Sequence, residues 1–234
     1  MKKIVLGVIA LIAGVFTDGV AQSRYYQSSS PTDGVKIGIR AGYNGMNWEG
    51  DAVESAKNLL DYTDGNVQLK MRHGFHAGAY LSLPLGSGIE LEPGLLYSQK
   101  GVVMEGNVPG NVGEMLSAKA TITNKSEYLD VPLLLRFYVA DGFNLFAGPQ
   151  VSFLLSNKVN VKAGALGFNA LDRDFDWNSG QRKVDVGLAA GVGYQFQNGF
   201  NVNGGYDFGL TTIDDNATYK TYNRGFKASI GYRF

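Results

Sequence analysis

The chain has 234 residues, and its 21 basic and 21 acidic side chains give a formal net charge of zero. It is 44% hydrophobic and 12% aromatic, with 32 glycines and no cysteine. The balanced charge and the lack of a basic cluster give no support for nucleic-acid binding. The lack of cysteine excludes disulfides, thiolate metal sites and cysteine catalysis. The length suits one domain or one barrel.

The first 21 residues have the three parts of a secretory signal peptide. Lys2 and Lys3 form a positive start, residues 4–16 are apolar, and Gly19 and Ala21 place small residues at −3 and −1. This pattern predicts cleavage before Gln22. The alternative is a membrane anchor, which needs about 20 apolar residues, whereas the apolar segment here has only 13. We therefore expect an exported protein.

After a polar, Ser-rich stretch at 22–33, which we interpret as a flexible periplasmic leader, apolar and polar residues alternate in eight segments. A period of two is typical of a β-strand with one apolar and one polar face. At about 10 to 14 residues, each segment is long enough to cross a bilayer when tilted. The predicted strands cover about 35–43, 74–83, 89–102, 126–139, 143–155, 183–196, 200–212 and 223–234.

The connections between these segments alternate between long and short. Long connections with short turns between them predict an up-and-down barrel whose turns are periplasmic and whose loops are extracellular. Within the first long connection, residues 51–60 have the apolar spacing of a short helix. The predicted short turns are at 84–88, 140–142 and 197–199, and the longer connections at 44–72, 103–125, 156–181 and 213–221.

The two faces of the predicted strands differ in charge. One face is almost free of charge in all eight strands, and the other is rich in glycine and charged residues. A soluble barrel, such as a lipocalin, or a β-sandwich would instead place its charges outward and its apolar side chains inward. We therefore predict an all-β, eight-stranded antiparallel up-and-down transmembrane β-barrel over residues 34–234.

The charged face is predicted to form an interior charge network. An eight-stranded barrel is only wide enough for its own side chains. Six cations and five acids are nearly balanced, which favours ion pairs that fill the lumen over the alternative of a small-solute channel. The predicted members are Lys36, Arg40, Glu90, Glu92, Lys100, Asp130, Arg136, Asp185, Asp207, Lys227 and Arg233.

The last strand ends on the final residue of the chain, Phe234. A barrel must close its last strand against its first, so we expect this strand to pair with strand 1 and to be recognised during insertion. Its apolar row should face lipid. We assign the C-terminal insertion signal to Phe226, Ile230, Tyr232 and Phe234.

The sequence offers little support for catalysis. His73 and His76 are three residues apart, so on a strand they fall on opposite faces and cannot form a simple metal pair. No nucleophile elbow, HExxH motif or phosphate loop is present. Acidic loops at 172–176 and 214–216 are more commonly solvated than Ca²⁺-binding. We predict no catalytic residue, metal or cofactor, and keep an enzyme at the barrel rim as an alternative.

Five segments resemble the PorT-like outer-membrane β-barrel family of Bacteroidota, over the whole mature barrel. The resemblance implies an integral protein of the bacterial outer membrane, with outer-membrane lipid and the barrel assembly machinery as partners and no catalytic residues. The named member of the family is linked to protein secretion, so the alternative role is a component of a secretion or envelope assembly complex with envelope protein partners. The segments are GVKIGIRAGYN (34–44), ELEPGLLYSQKG (90–101), YLDVPLLLRFY (128–138), AGP (147–149) and GYRF (231–234).

Replacing Phe234 with a polar residue should lower assembly yield. The change removes the last apolar contact of the closing strand, which we expect the insertion machinery to read. The folded fraction can be measured as the heat-modifiable band on gels of the outer-membrane fraction. Normal insertion of this variant would refute the assignment.

Overall fold

The computed structural model describes residues 34–51, 53–55, 58, 67–107, 119–165, 168–176, 181–214 and 220–234. The predicted signal peptide and leader lie outside the described residues and remain predictions. No helix in these ranges is both long and apolar enough to cross a membrane.

The described residues form nine strands in a single antiparallel sheet. Eight of them close a ring in the order β1-β2-β3-β4-β5-β7-β8-β9, which confirms the predicted up-and-down barrel. The strands are β1 Lys36–Glu49, β2 Val67–Gly86, β3 Ile89–Asn107, β4 Lys119–Tyr138, β5 Phe143–Ala165, β6 Phe168–Asp176, β7 Val184–Gln195, β8 Phe200–Gly209 and β9 Tyr222–Arg233.

The ring closes where β9 pairs with β1, as predicted for the terminal strand. The pairing is continuous from Gly38 opposite Arg233 to Glu49 opposite Tyr222. One further backbone bond runs from the Phe234 amide to the Ile37 carbonyl at 2.9 Å. The closed ring leaves no strand edge at this level, which is the condition for crossing a lipid bilayer with strands.

The ninth strand, β6, corrects the prediction of a loop at 156–181. The first half of β5 pairs with β7 from Phe143 to Phe153, and its second half pairs with β6 from Lys158 to Ala165. The strands β2 to β5 also extend beyond their predicted ends. They form, with β6 at the edge, a sheet that projects past the ring at the long-loop end, which we call the sheet extension.

The sheet extension was not predicted because alternation along its strands is confined to short stretches. Residues 119–127 read KATITNKSE, with polar side chains at both odd and even positions. Period-two alternation arises where one face meets an apolar medium and the other a polar one. Beyond the membrane both faces of a sheet meet water, so the alternation weakens although the strand continues.

Two local predictions about connections are supported. Residues 51, 53–55 and 58 are helical within the predicted short helix, and the amides of Val53 and Glu54 donate to the Gly50 carbonyl at 3.0 and 3.2 Å. The β2–β3 hairpin turns on Ser87 and Gly88, whose φ angles of 53° and 75° are both positive. A two-residue turn with two positive φ angles matches the twist of the flanking strands.

The two faces of the ring have opposite chemistry. Apolar side chains along β9 point outward and are exposed, up to 62% for Ile230 and 68% for Phe234. From Phe226 to Phe234, eight residue steps of about 3.4 Å tilted by about 40° give an apolar height of about 21 Å. This is close to the apolar band of about 25 Å that membrane barrels present to lipid. The inward face is buried and mostly polar.

Glycines allow the strands to approach closely in the narrow interior. A Cβ atom on Gly78 would lie 2.0 Å from the Leu95 carbonyl oxygen on β3, and one on Gly38 would overlap the Tyr80 ring. In contrast, Gly204 lies on the exposed outward row of β8, and a Cβ there would meet nothing within 4 Å. The glycine-rich inward face therefore reflects a steric limit at particular positions.

Gly78→Ala should destabilise the barrel by about 1–3 kcal/mol, because its Cβ would overlap backbone atoms that cannot rotate away. Gly204→Ala is the matched control and should be neutral or slightly stabilising, since the open site accepts a methyl group. Urea unfolding in micelles, followed by tryptophan fluorescence, measures both. Equal stability of the two variants would contradict the proposed close approach.

Candidate functional site

The inward face carries three clusters of charged side chains, and the first lies at the short-turn end. The Arg233 guanidinium donates to both carboxylate oxygens of Glu90, at 3.0 and 3.2 Å, and to the Ser82 hydroxyl at 3.4 Å. The Tyr138 hydroxyl donates to Glu90 at 3.1 Å. The cluster ties β9 to β2, β3 and β4, so it crosses the lumen.

The second cluster places one carboxylate between two guanidinium groups. Glu92 accepts hydrogen bonds from Arg40 at 2.9 Å and from Arg136 Nε at 3.2 Å, and Arg136 Nη2 lies 3.0 Å from its carboxylate as an ion-pair contact. Each guanidinium also stacks on a ring, Arg40 over Tyr80 at 4.4 Å and Arg136 over Phe146 at 4.9 Å. Attraction between a cation and an aromatic face strengthens when water is excluded, as it is here.

The third cluster is centred on Asp130, which has no exposed surface. Lys100 Nζ lies 2.9 Å from one of its oxygens and Lys227 Nζ 2.8 Å from the other. Lys227 also contacts Asp207 at 2.7 Å, and Lys100 donates to the Ser152 hydroxyl at 2.9 Å. Removing a charge from water is unfavourable unless partners are well placed, and here each carboxylate oxygen of Asp130 has a cation.

The two remaining predicted members have different environments. Asp185 accepts hydrogen bonds from Asn223 at 2.9 Å and Thr211 at 2.7 Å, so polar neutral groups stabilise it. Lys36 is only partly buried near the short-turn end, and no ion pair within the described ranges includes it. Proximity to the solvent at the barrel end allows a lysine to remain hydrated, so it needs no buried partner.

The interior also contains polar residues that sequence reasoning did not assign. Arg72 is buried and donates to the backbone carbonyls of Lys100 and Ser126. Arg72 has an even number, like the buried His76 and Tyr80 on the same strand. Extending the alternation of β2 toward its start would therefore have predicted that Arg72 faces inward. Several buried amides complete the network: Asn44, Asn124, Asn144, Gln150, Asn157 and Asn201.

The two histidines lie on opposite faces of β2, which confirms the prediction from their spacing. His76 is buried, and its Nδ1 lies 2.6 Å from Asn44 Oδ1. His73 is exposed on the outward face and is hydrogen-bonded to the Tyr43 hydroxyl.

Two small cavities lie among the interior side chains that the structure describes. One cavity of about 10 Å³ lies beside Lys100, and another of about 50 Å³ lies between Arg40, His76 and Lys227. Since one water needs roughly 10–15 Å³, these spaces are suited to individual waters. The arrangement stabilises a filled interior.

The C-terminal residues assigned to the insertion signal share the outward face of β9. Phe226, Ile230 and Phe234 are exposed. Tyr232 stacks edge-on against Phe200 at 5.1 Å and against Phe234 at 5.1 Å. Together they form an apolar and aromatic strip at the closing seam.

In the sheet extension, one lysine of β4 and one of β5 form ion pairs with aspartates of β6. Lys162 and Lys125 contact Asp172 and Asp174, both at 3.2 Å. Hydrogen bonds from Asn160 and Lys162 hold the pKa of the exposed Asp172 carboxyl below its ordinary value. The acidic stretch 172–176 thus has lysine partners, and in the described part of the chain no group of three potential ligands could hold a metal ion.

Comparison with known proteins shows the family. A family model described as an outer membrane protein beta-barrel domain matches residues 21–215. No curated protein matches the chain.

Solved outer-membrane proteins are similar at low identity. Ail of Yersinia pestis is 13% identical with a TM-score of 0.43, over 85% of this chain and 98% of that one. Neisserial surface protein A is 11% identical with a TM-score of 0.42, over 86% and 100%. OprG of Pseudomonas aeruginosa is 14% identical with a TM-score of 0.35, over 85% and 95%.

Asp130→Ala should destabilise the barrel by about 3–5 kcal/mol, because Lys100 and Lys227 would then be buried without their shared carboxylate. Glu105→Gln is the control. Its partner Lys70 is 50% exposed and Glu105 is 42% exposed, so the free energy of unfolding should fall by less than about 1 kcal/mol. Urea unfolding of both variants in micelles checks the difference, and similar losses would contradict the role of Asp130.

Proposed function

Since the chain belongs to the outer membrane protein β-barrel domain family, we propose that it is a non-enzymatic barrel with a structural or interaction role at the cell envelope. Its own side chains fill the lumen, and its long-loop end faces outward from the cell. We further propose that the chain is exported through a signal peptide cleaved before Gln22 and inserted by the barrel assembly machinery through its C-terminal strand.

The single observation that supports this role best is the buried cluster around Asp130. A conducting lumen needs a continuous path of water for the hydrated ion or solute. Lys100 and Lys227 meet Asp130 across the interior instead, Lys227 also contacts Asp207, and the two cavities described beside them measure about 10 and 50 Å³. Opening a path would require these ion pairs to separate, which is unfavourable in a confined space.

The environment of the histidines supports the non-enzymatic part of the proposal. A general base must come within hydrogen-bond reach of a substrate proton, directly or through one water. His76 is enclosed by the barrel, and His73 lies among the lipid-facing side chains beside Tyr43. This leaves the sheet extension and the rim as the surfaces available for interactions outside the cell.

We also propose membership of the PorT-like branch of the family. The supporting segments, such as YLDVPLLLRFY at 128–138, supply both the buried Asp130 and Arg136 and the outward apolar row of β4. The secretion role of the named member of that branch is not carried over, because no side chain here identifies a secretion partner. Loss of secretion in a deletion strain, with envelope proteins that co-purify, would favour that alternative.

In planar bilayers the wild-type barrel should pass no current above background, because the interior ion pairs block a water path. The quadruple variant Lys100→Ala, Asp130→Ala, Asp207→Ala, Lys227→Ala removes the cluster around Asp130 with both its cations and its acids, and should produce measurable conductance steps. Each protein must first show the heat-modifiable band of a folded barrel.

The double variant Lys70→Ala, Glu105→Ala serves as the matched control, because this pair lies on the exposed sheet extension. This double variant should pass no current above background. Regular conductance steps in the wild-type barrel would contradict the proposal of a filled lumen and favour a small-solute channel.

A further inference from the structure

The strand β6 ends the sheet extension on one side, and no strand in the described ranges pairs with its far edge. Every residue from Asp172 to Asp176 is exposed, although successive side chains lie on opposite faces of the sheet. Neither face of this stretch is therefore covered. An edge strand of this kind presents a row of unpaired backbone N–H and C=O groups, to which another strand can bind.

The register shows which side chains lie on the outer face of this edge. Asp176 lies opposite Lys158 of β5, which lies opposite Lys125 of β4. Residues directly opposite on antiparallel strands share a face. Lys125 is an even number of residues before the exposed, lipid-facing Leu133 of the same strand, so these residues continue the outward face of the ring. The acidic row on the outer face of β6 is Asp172, Asp174 and Asp176.

The opposite face of the sheet extension continues the face that lines the lumen. Ile122 is an even number of residues before the buried Asp130 of β4, and it lies opposite Met104 of β3 and Val161 of β5. Phe175 of β6 belongs to this face as well. Ile122 is 42% exposed and Phe175 52%. The polarity of the ring is thus reversed here, with apolar side chains inside and carboxylates outside.

The two faces together select what can pair with β6. Side chains directly opposite on neighbouring strands interact, and opposite charges or two apolar groups are favourable. Lys162 and Lys125 contact Asp172 and Asp174 from the β5 side, so the open edge itself presents carboxylates. On the inner face, Phe175 favours an apolar neighbour and the exposed Arg173 disfavours a cation. A matching strand therefore has cations on one side only.

We propose that the free edge of β6 binds an extended segment of another protein in which basic residues alternate with apolar ones. Backbone hydrogen bonds to the edge would hold the segment, and the acidic row with Phe175 would specify its side chains. A second copy of this chain matches less well. Antiparallel pairing of two β6 strands with their faces aligned places aspartates opposite aspartates, which is unfavourable.

This inference rests on the interaction role proposed above and gives that role a class of partner. The edge lies on the sheet extension, away from the ion pairs that fill the lumen. The experiment below measures binding at β6 rather than conductance, so the filled lumen and the strand-binding edge can fail separately.

The probe is a nine-residue peptide of alternating lysine and valine, which matches the length of β6. It is titrated into the mature barrel in zwitterionic phospholipid nanodiscs, with empty discs as the blank. Isothermal titration calorimetry gives the affinity. Amide hydrogen exchange by NMR should slow at about half of the residues 172–176, because alternate amides of an edge strand point to the open side.

Three further peptides separate strand pairing from simple charge attraction. A peptide with glutamate in place of lysine, and one of the same lysine and valine composition in a non-alternating order, should each bind at least about tenfold more weakly. The alternating peptide N-methylated at every residue keeps its side chains but cannot donate to the edge, so it should not bind.

Variants of β6 test the acidic row. The triple variant Asp172→Asn, Asp174→Asn, Asp176→Asn should weaken binding of the alternating lysine peptide by about tenfold. The same three residues changed to lysine should reverse the preference toward the glutamate peptide. Glu105→Gln is the matched control, because it removes an acid from the same face three strands away, and should leave the affinity unchanged. Each variant must first show the heat-modifiable band of a folded barrel.

Slower exchange within residues 172–176, with weaker binding in the triple asparagine variant, supports the proposal. Equal binding of the non-alternating or the N-methylated peptide would show attraction without strand pairing and would overturn it. Binding of no peptide would also overturn it. Self-association of the barrel that slows exchange at β6 without peptide would instead identify a second copy as the occupant.

Discussion

Hydrogen-bonded closure of β9 on β1 is the constraint on which the rest of this barrel depends. In lipid, an unpaired backbone amide or carbonyl has no water to bond, so strands can cross only as a closed ring. The seam meets this condition from Gly38 opposite Arg233 to Glu49 opposite Tyr222. Once eight strands are closed, the diameter of the interior is fixed, and it is only wide enough for side chains. The chemistry of the inward face follows from that width.

The narrow interior explains why its charges occur as clusters and its small residues as glycines. Asp130, Glu92 and Glu90 each meet cations from other strands at 2.8–3.2 Å. Gly78 lets β2 approach β3 where a Cβ would contact a backbone oxygen at 2.0 Å. Buried ion pairs add little net stability compared with an apolar core, but breaking one is costly. The network is therefore better suited to fixing one arrangement of the strands and closing the lumen than to conducting solutes.

Outside the membrane the constraint on the strands changes. β5 exchanges its neighbour β7 for β6, and a ladder of lysines and aspartates replaces the apolar outer face. The same transition occurs at the seam, where the lipid-facing Phe226 is preceded by Arg224, which pairs with Glu49. Interaction surfaces arise where the ring leaves the lipid, since only there can polar side chains face outward without a desolvation cost.

By itself, the sequence determined the environment of each residue along the eight barrel strands, because period-two alternation records whether a side chain faces lipid or the lumen. The ring, the inward direction of Asp130 and Lys227, and the opposite faces of His73 and His76 could all be read this way. Alternation carries no information about which strand supplies a partner, so only the tertiary structure joined Arg233 to Glu90 and Lys227 to Asp130. It also decided what lies beyond the membrane. There both faces of a strand meet water and the alternation weakens, so β6 was recognised only from its hairpin pairing with β5 in the structure.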